Sequence, residues 1–218
     1  MVKELAPNSK PSALKAILKT AVKLVLGRGS MRSYSQYGED VYAASQFRNK
    51  RDGFYVDVGA YHPHLYSVTY ALYKRGWRGI AIDPNPLTGM LFRIFRPRDV
   101  FVRAGVGKGS RTYRQFEDGA YNSFVEGTGE GAKEQKLRPL ADILSEYRVT
   151  SIDFMNVDVE GMDLEVLQTH DWSILPKVIA VEAKIGSQVQ QYLEGKGYVL
   201  SGFLGLTLFF SISNTHKQ

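Results

Sequence analysis

The chain has 218 residues and a mass of 24.5 kDa, enough for one well-buried domain and short for two. Its 44% apolar and 23% charged residues exclude a disordered chain, and the absence of cysteine excludes disulfides, thiol catalysis and cysteine-ligated metals, with the reducing cytoplasm as the default compartment. The net charge of +6 resides in residues 1–33, where Lys3, Lys10, Lys15, Lys19, Lys23, Arg28 and Arg32 face one acid, Glu4; the neutral remainder argues against a nucleic-acid binder.

Residues 1–33 read as a basic N-terminal arm. Ser12 is placed to cap a helix over 13–26, with Lys15, Lys19 and Lys23 in i, i+4 register and Leu14, Ile17, Leu18, Ala21, Val25 and Leu26 on the other side. Such a helix either lies on an anionic membrane surface through residues 12–26 or packs on its own domain or a partner. Lysines interrupt the apolar residues here, which does not fit a signal peptide. No stretch reaches the roughly 18–20 apolar residues of a membrane span. The longest uncharged run, 198–214, is broken by Gly202 and Gly205 and reads as two strands.

Residues 34–218 form the second predicted unit, in which strands and helices alternate. Strands are expected at 53–58, 79–82, 99–104, 152–157 and 178–181, with a short extra one at 111–116. Helices are expected at 67–75, 87–95, 140–147, 162–169 and 188–196. Residues 117–135, rich in glycine and glutamate, read as a loop of functional length, a lid or a mobile segment. Segments 198–202 and 206–213 are too close for a helical crossover, so they must pair as an antiparallel hairpin. The whole predicts a mostly parallel sheet, covered on both faces and ending in that hairpin.

Ligands bind an open α/β sheet at the carboxyl ends of its strands. Four predicted strands end in acids here: Asp57 with Gly59, Asp83, Asp158 with Glu160, and Glu182. A glycine after the first strand lets a ligand approach the backbone. A carboxylate at the second strand end, 26 residues beyond Asp57, can accept both hydroxyls of a ribose. Together they point to an adenosine-containing cofactor. The dinucleotide fingerprint is absent, since 59–64 reads Gly-Ala-Tyr-His-Pro-His with one glycine, and Pro63 removes an N–H that a pyrophosphate would need. A phosphate-free cofactor fits better, and S-adenosylmethionine is one.

The chain resembles the FkbM-type family of S-adenosylmethionine-dependent class I methyltransferases. The matching blocks are Ser35-Gln36-Tyr37-Gly38-Glu39-Asp40, the run from Phe54 to Pro63, the run from Gly76 to Pro86, and the run from Ile152 to Gly161. The likeness covers roughly residues 33–212. Tyr61 and Pro63 stand where many relatives have asparagine and glycine, and Ser67-Val68-Thr69 replaces a Ser-Asn-Thr block. The resemblance implies a Rossmann-like three-layer sandwich with a seven-stranded, mostly parallel sheet. It implies that Asp57, Gly59 and Ala60 line the methionine end of the cofactor and that Asp83 holds the ribose with Asn85 near it. Gly105 and Val106 would flank the adenine, and Gln36 and Tyr37 would close over the site.

Methyl transfer to a hydroxyl benefits from a general base. Asp158 is the first candidate, and it would also sit beside the cofactor; Glu160 follows, with His62 and His64 behind them. Asp158, Glu160 and Glu182 could alternatively supply oxygen ligands to a divalent cation, secondary to capping helices or binding substrate hydroxyls. The (Asp/Asn)-Pro-Pro-aromatic block of base amino-methyltransferases is absent after the 152–157 strand, which holds Asp-Val-Glu-Gly. Carboxylates at two strand ends suit a hydroxyl-rich acceptor, and the resemblance implies a sugar, a glycan or a glycolipid precursor. A small-molecule or polyketide acceptor, and a non-catalytic protein binding a membrane or partner through the basic helix, are the alternatives.

Overall fold

The computed structural model describes residues 32–115, 122–124 and 133–213. The helix expected over 13–26, and the membrane contact expected through residues 12–26, lie outside the described residues. Residues Ser33–Gln218 form one compact unit. Its helices are α1 (Glu39–Gln46), α2 (Tyr70–Lys74), α3 (Pro86–Phe95), α4 (Leu140–Glu146), α5 (Asp163–Gln168) and α6 (Gln188–Gly195). Its strands are β1 (Phe54–Val58), β2 (Arg78–Ile82), β3 (Val100–Val102), β4 (Gly105–Val106), β5 (Ser110–Gln115), β6 (Asn122–Phe124), β7 (Lys133–Arg138), β8 (Phe154–Val157), β9 (Val178–Glu182), β10 (Tyr198–Leu204) and β11 (Thr207–Ile212).

Seven strands form the main sheet in the order β10-β11-β9-β8-β1-β2-β3. β1, β2, β3, β8 and β9 are parallel, and β11 runs antiparallel to both β9 and β10. This is the predicted α/β architecture, hairpin included. Its cause is visible in the strands, which are buried on both faces and therefore read as continuous apolar runs. Along β1, Val56 and Val58 point into a core with β8, β9, β11 and helices α4, α5 and α6. Tyr55 points the other way, to Ala43, Ala44 and Phe47 of and just after α1, and to Leu72, Tyr73 and Trp77 around α2. Helix α3 rests on the sheet through Phe92, which packs with Ala60, Ala81 and Phe101. The result is three layers. The chain runs outward from β1 through β2 to β3, then returns to β8 on the other side, so the topological switch point lies between β1 and β8.

Two expectations are corrected. The stretch 117–135 is not a plain loop, because residues 122–124 and 133–135 belong to β6 and β7. With β4 and β5 these build a second, four-stranded sheet in the order β4-β7-β5-β6. In β7, Lys-Glu-Gln-Lys-Leu-Arg, Leu137 is the buried apolar residue, so no alternation marked it as a strand. The helix expected from 67 begins only at Tyr70, since Ser67 and Thr69 turn their hydroxyls into a buried hydrogen-bond network. Helix α1 was not anticipated: its buried positions include Glu39 and Asp40 beside two alanines, which leaves little apolar periodicity.

Candidate active site

A cavity of about 340 Å³ opens at the carboxyl ends of β1, β2, β8 and β9, over the switch point. Gln36, Tyr37, Asp57, Gly59, Ala60, Asp83, Asn85, Asp158, Glu160 and Glu182 all line it. Five separate blocks of sequence are thus brought to one space.

The floor is the β1 turn. Asp57 is buried, and its two oxygens accept from Thr69 Oγ1 (2.5 Å) and Asn156 Nδ2 (3.0 Å). Gly59 has φ +81°, and a β-carbon there would strike the backbone carbonyl of Asp158. The glycine is therefore demanded by the neighbouring strand rather than by a ligand. The amides of Gly59 and Ala60 both donate to Ile82 O, stitching β1 to β2.

Asp83 forms the β2 side. Its Oδ1 accepts from the Asn85 amide (2.7 Å) and its Oδ2 from the Tyr61 amide (3.0 Å). Burial pushes its carboxyl up to about 6, although both amides oppose the shift. Asn85 caps α3, its Oδ1 accepting from the Leu87 amide, with Pro86 at the first helical position. Tyr61 has φ +45°, the left-handed backbone that the family's asparagine tolerates more easily than a tyrosine. Among the described residues five non-glycines have positive φ, and three of them, Tyr61, Tyr66 and Glu160, line this cavity.

The opposite wall is acidic. Single ligand oxygens of Asp158, Glu160 and Glu182 lie within 4.8 Å of one another. Burial and the hydrogen bond and charge of Glu182, with smaller pushes from Asp163 and Glu160, raise the Asp158 carboxyl to about 8. The residue is open to solvent through the cavity mouth, while its carboxyl end sits among the other acids. An exposed acidic trio is common without an ion and does not by itself make a metal site.

Two residues that no pattern announced hold this wall and the roof. Buried Asp163 accepts from the amides of Val159 and Gly161, fixing the turn that carries Glu160. Buried Asp40 accepts from Ser33 Oγ (2.7 Å), Ser35 Oγ (2.8 Å) and the Tyr34 amide (2.9 Å), folding the segment that presents Gln36 and Tyr37. Asp40 closes the first block of the resemblance without a role attached to it, and the signal of Asp163 is an acid within the first turn of a helix, which capping explains as readily. The Tyr37 ring lies on Gly205 in the β10–β11 turn, which brings Leu206 and Thr207 to the same mouth.

Three expected residues stand elsewhere. Gly105 and Val106 form β4, pairing with Leu137 and Arg138, and Val106 packs into the core, because the chain leaves β3 for the second sheet. Neither is among the residues lining the cavity. His64 is exposed and rests between Tyr34 (5.2 Å) and Tyr70 (4.9 Å), also off the cavity wall. His62 accepts the amides of His64 and Leu65 at Nδ1, and burial lowers its pKa.

Solved structures with a similar chain course include a precorrin-6y C5,15-methyltransferase from Geobacter metallireducens (12% identity, 78% of this chain and 84% of that one, TM-score 0.44). Another is a TehB-like SAM-dependent methyltransferase from Corynebacterium glutamicum (13%, 94% and 100%, 0.43). A third is a 1,6-didemethyltoxoflavin-N1-methyltransferase from Burkholderia thailandensis, solved with 1,6-didemethyltoxoflavin and S-adenosylhomocysteine (13%, 97% and 94%, 0.44). No curated protein matches the sequence. The model of the methyltransferase FkbM domain matches residues 57–200, about two thirds of the chain and every strand end described above. The chain belongs to the FkbM family of S-adenosylmethionine-dependent methyltransferases.

Proposed function

We propose that this methyltransferase acts on a hydroxyl oxygen, that of a sugar, a glycan or a glycolipid precursor. The observation that carries the reading is the convergence of Asp158, Glu160 and Glu182 on one side of a cavity whose other side holds Asp83. Carboxylates accept O–H donors, and one with a raised pKa is a better base than an ordinary aspartate.

S-adenosylmethionine, when bound, supplies an electrophilic methyl group on a positively charged sulfur. Asp83 would accept the ribose hydroxyls, with Asn85 beside it, and the Asp57–Ala60 turn would hold the methionine end. Gln36 and Tyr37 close the space from the α1 side. Asp158 takes the proton of the acceptor hydroxyl at its carboxylate as the oxygen attacks. Glu160 and Glu182 hold neighbouring hydroxyls, and the wall as a whole fixes the in-line approach that such a displacement requires. Gly105, Val106 and His64 have no place in this scheme, given where they lie. The exposed Tyr37, Tyr66 and Leu206 at the mouth offer flat apolar faces. They suit the carbon face of a sugar ring, and equally favour a small polyketide-like acceptor.

The test uses cofactor with a labelled methyl group and a panel of free sugars, nucleotide sugars, glycolipids, phenolic small molecules, heterocyclic amines and carbon acids. A methyl ether on a sugar hydroxyl is expected. Methylation confined to nitrogen or carbon acceptors would overturn the reading, and a phenolic ether alone would select the small-molecule alternative.

A further inference from the structure

Helix α3 turns apolar residues outward. Thr88, Gly89 and Phe92 face the sheet, as expected for a surface helix. On the opposite side Leu87, Met90 and Ile94 are 46%, 52% and 61% exposed, and Phe95, the last residue of the helix, is 59% exposed. Spacings of three, four and seven residues put Leu87, Met90 and Ile94 in one stripe. Val100, exposed on the edge strand β3, lies just beyond in the chain. A helix apolar on both sides is normally covered on both sides, and a contiguous patch of this kind marks an interaction surface.

The charges around the stripe say what covers it. Residues 84–98 contain Arg93, Arg96 and Arg98 and no acid. Arg96 is consumed internally by Asp99, both side chains being fully buried. The exposed cations are Arg93 on the flank of the helix, Arg98 after its end, stacked at 3.8 Å on Tyr73, and Arg103, whose Nε donates to Pro84 O beside its start. A second copy related by two-fold symmetry would set this patch against itself, arginine against arginine, with no acid to answer. Long aliphatic side chains framed by arginines, whose stems can lie along apolar surface while their heads reach outward, match a bilayer with anionic headgroups.

We propose that the outer face of α3 is a peripheral docking surface for anionic membranes. Leu87, Met90 and Ile94 enter the headgroup boundary, and Arg93, Arg98 and Arg103 meet the lipid phosphates. The helix starts at the cavity wall, where Asn85 and Thr88 line the site. Docking along its length of about 15 Å therefore holds the cavity mouth near the bilayer surface. The surface is built from residues 87–103 and stands whether or not the acceptor is a lipid.

The full-length protein is sedimented with vesicles of phosphatidylcholine alone and of phosphatidylcholine mixed with phosphatidylglycerol. The wild type should partition into the anionic vesicles, less so at high salt. Met90→Glu with Ile94→Glu should lower that partitioning by about tenfold or more, while the thermal transition and cofactor titration stay unchanged, because neither residue touches the core or the cavity. No binding by the wild type, or equal binding by the variant, overturns the proposal. A lipid-free dimer in sedimentation velocity that the same substitutions dissociate also overturns it, and assigns the face to a second copy of the chain.

Discussion

Burial, and after it the hydrogen bond and charge of Glu182, raise the Asp158 carboxyl to about 8, so at neutral pH Asp158 retains its proton. A sulfonium bound beside it favours the charged form. Cofactor binding near pH 7 is therefore expected to expel a proton, seen as a heat of binding that depends on the buffer's ionisation enthalpy. Asp158→Asn should abolish that dependence. It should also lower kcat by about 10²–10⁴ while leaving cofactor affinity within a few-fold, the loss typical of a missing general base; a variant of undiminished kcat removes Asp158 from that role. Asp83 behaves differently. Its carboxyl is raised to about 6 by burial, and in the proposed role only the ionised form would accept both ribose hydroxyls. Affinity for the cofactor should be flat above pH of about 6 and fall below it, by up to about tenfold per unit. Asp83→Asn should weaken binding by about 10–100-fold at neutral pH, the equivalent of one charge-assisted hydrogen bond, and flatten the profile. Titration calorimetry across pH reads both effects.

These acids were legible as residues because each closes an apolar strand, a pattern carried by neighbours in sequence. Elements were less evenly legible. The parallel strands of the main sheet announce themselves through burial on both faces, and the hairpin through its short connection. Helix α1 and strand β7 do not, since their place is set by partners distant in the chain: Asp40 by the serines at 33 and 35, and β7 by its pairing with β4 and β5. Gly59 was legible as a special position, but its cause, the Asp158 carbonyl 99 residues away, was not. The same holds for Asp163, which works through a turn two to four residues before it. Removing its carboxyl leaves the amides of Val159 and Gly161 without their acceptor and frees Glu160 from a left-handed backbone it adopts at a cost. Asp163→Ala should therefore lower kcat by about tenfold or more, with cofactor affinity nearly unchanged, because the acidic wall moves and the Asp83 side does not. Equal losses in both would show that the turn also supports the cofactor.

At the scale of the whole folded body, one guanidinium joins parts that the sheet alone does not. Arg96, fully buried after α3, donates to Asp99 before β3, to Tyr55 OH on β1, and to Ser67 Oγ and Thr69 Oγ1 in the segment whose Ser67 and Val68 line the cavity. Thr69 passes the connection on to Asp57, and Asp57 to Asn156 on β8. Every side chain in this network is buried, so the network is tolerable only when complete. Arg96→Met fits the volume but leaves Asp99 as a buried charge without its cation. Unfolding in denaturant should show a loss of about 3–5 kcal/mol. Arg96→Lys should recover only part of it, since an ammonium cannot spread donors to four side chains at once. The pH dependence separates lost packing from lost charge. Burial already pushes the Asp99 carboxyl up in the wild type, even with Arg96 pulling it down. Without Arg96 the folded state holds the proton more tightly than the unfolded state, so the penalty is full at neutral pH. It shrinks as pH falls through the raised folded-state value. The gap between Arg96→Met and wild type should therefore narrow on acidification. A gap that stays constant with pH would assign the loss to packing alone, and would leave the ion pair without a net role in joining the 67–69 segment to the sheet.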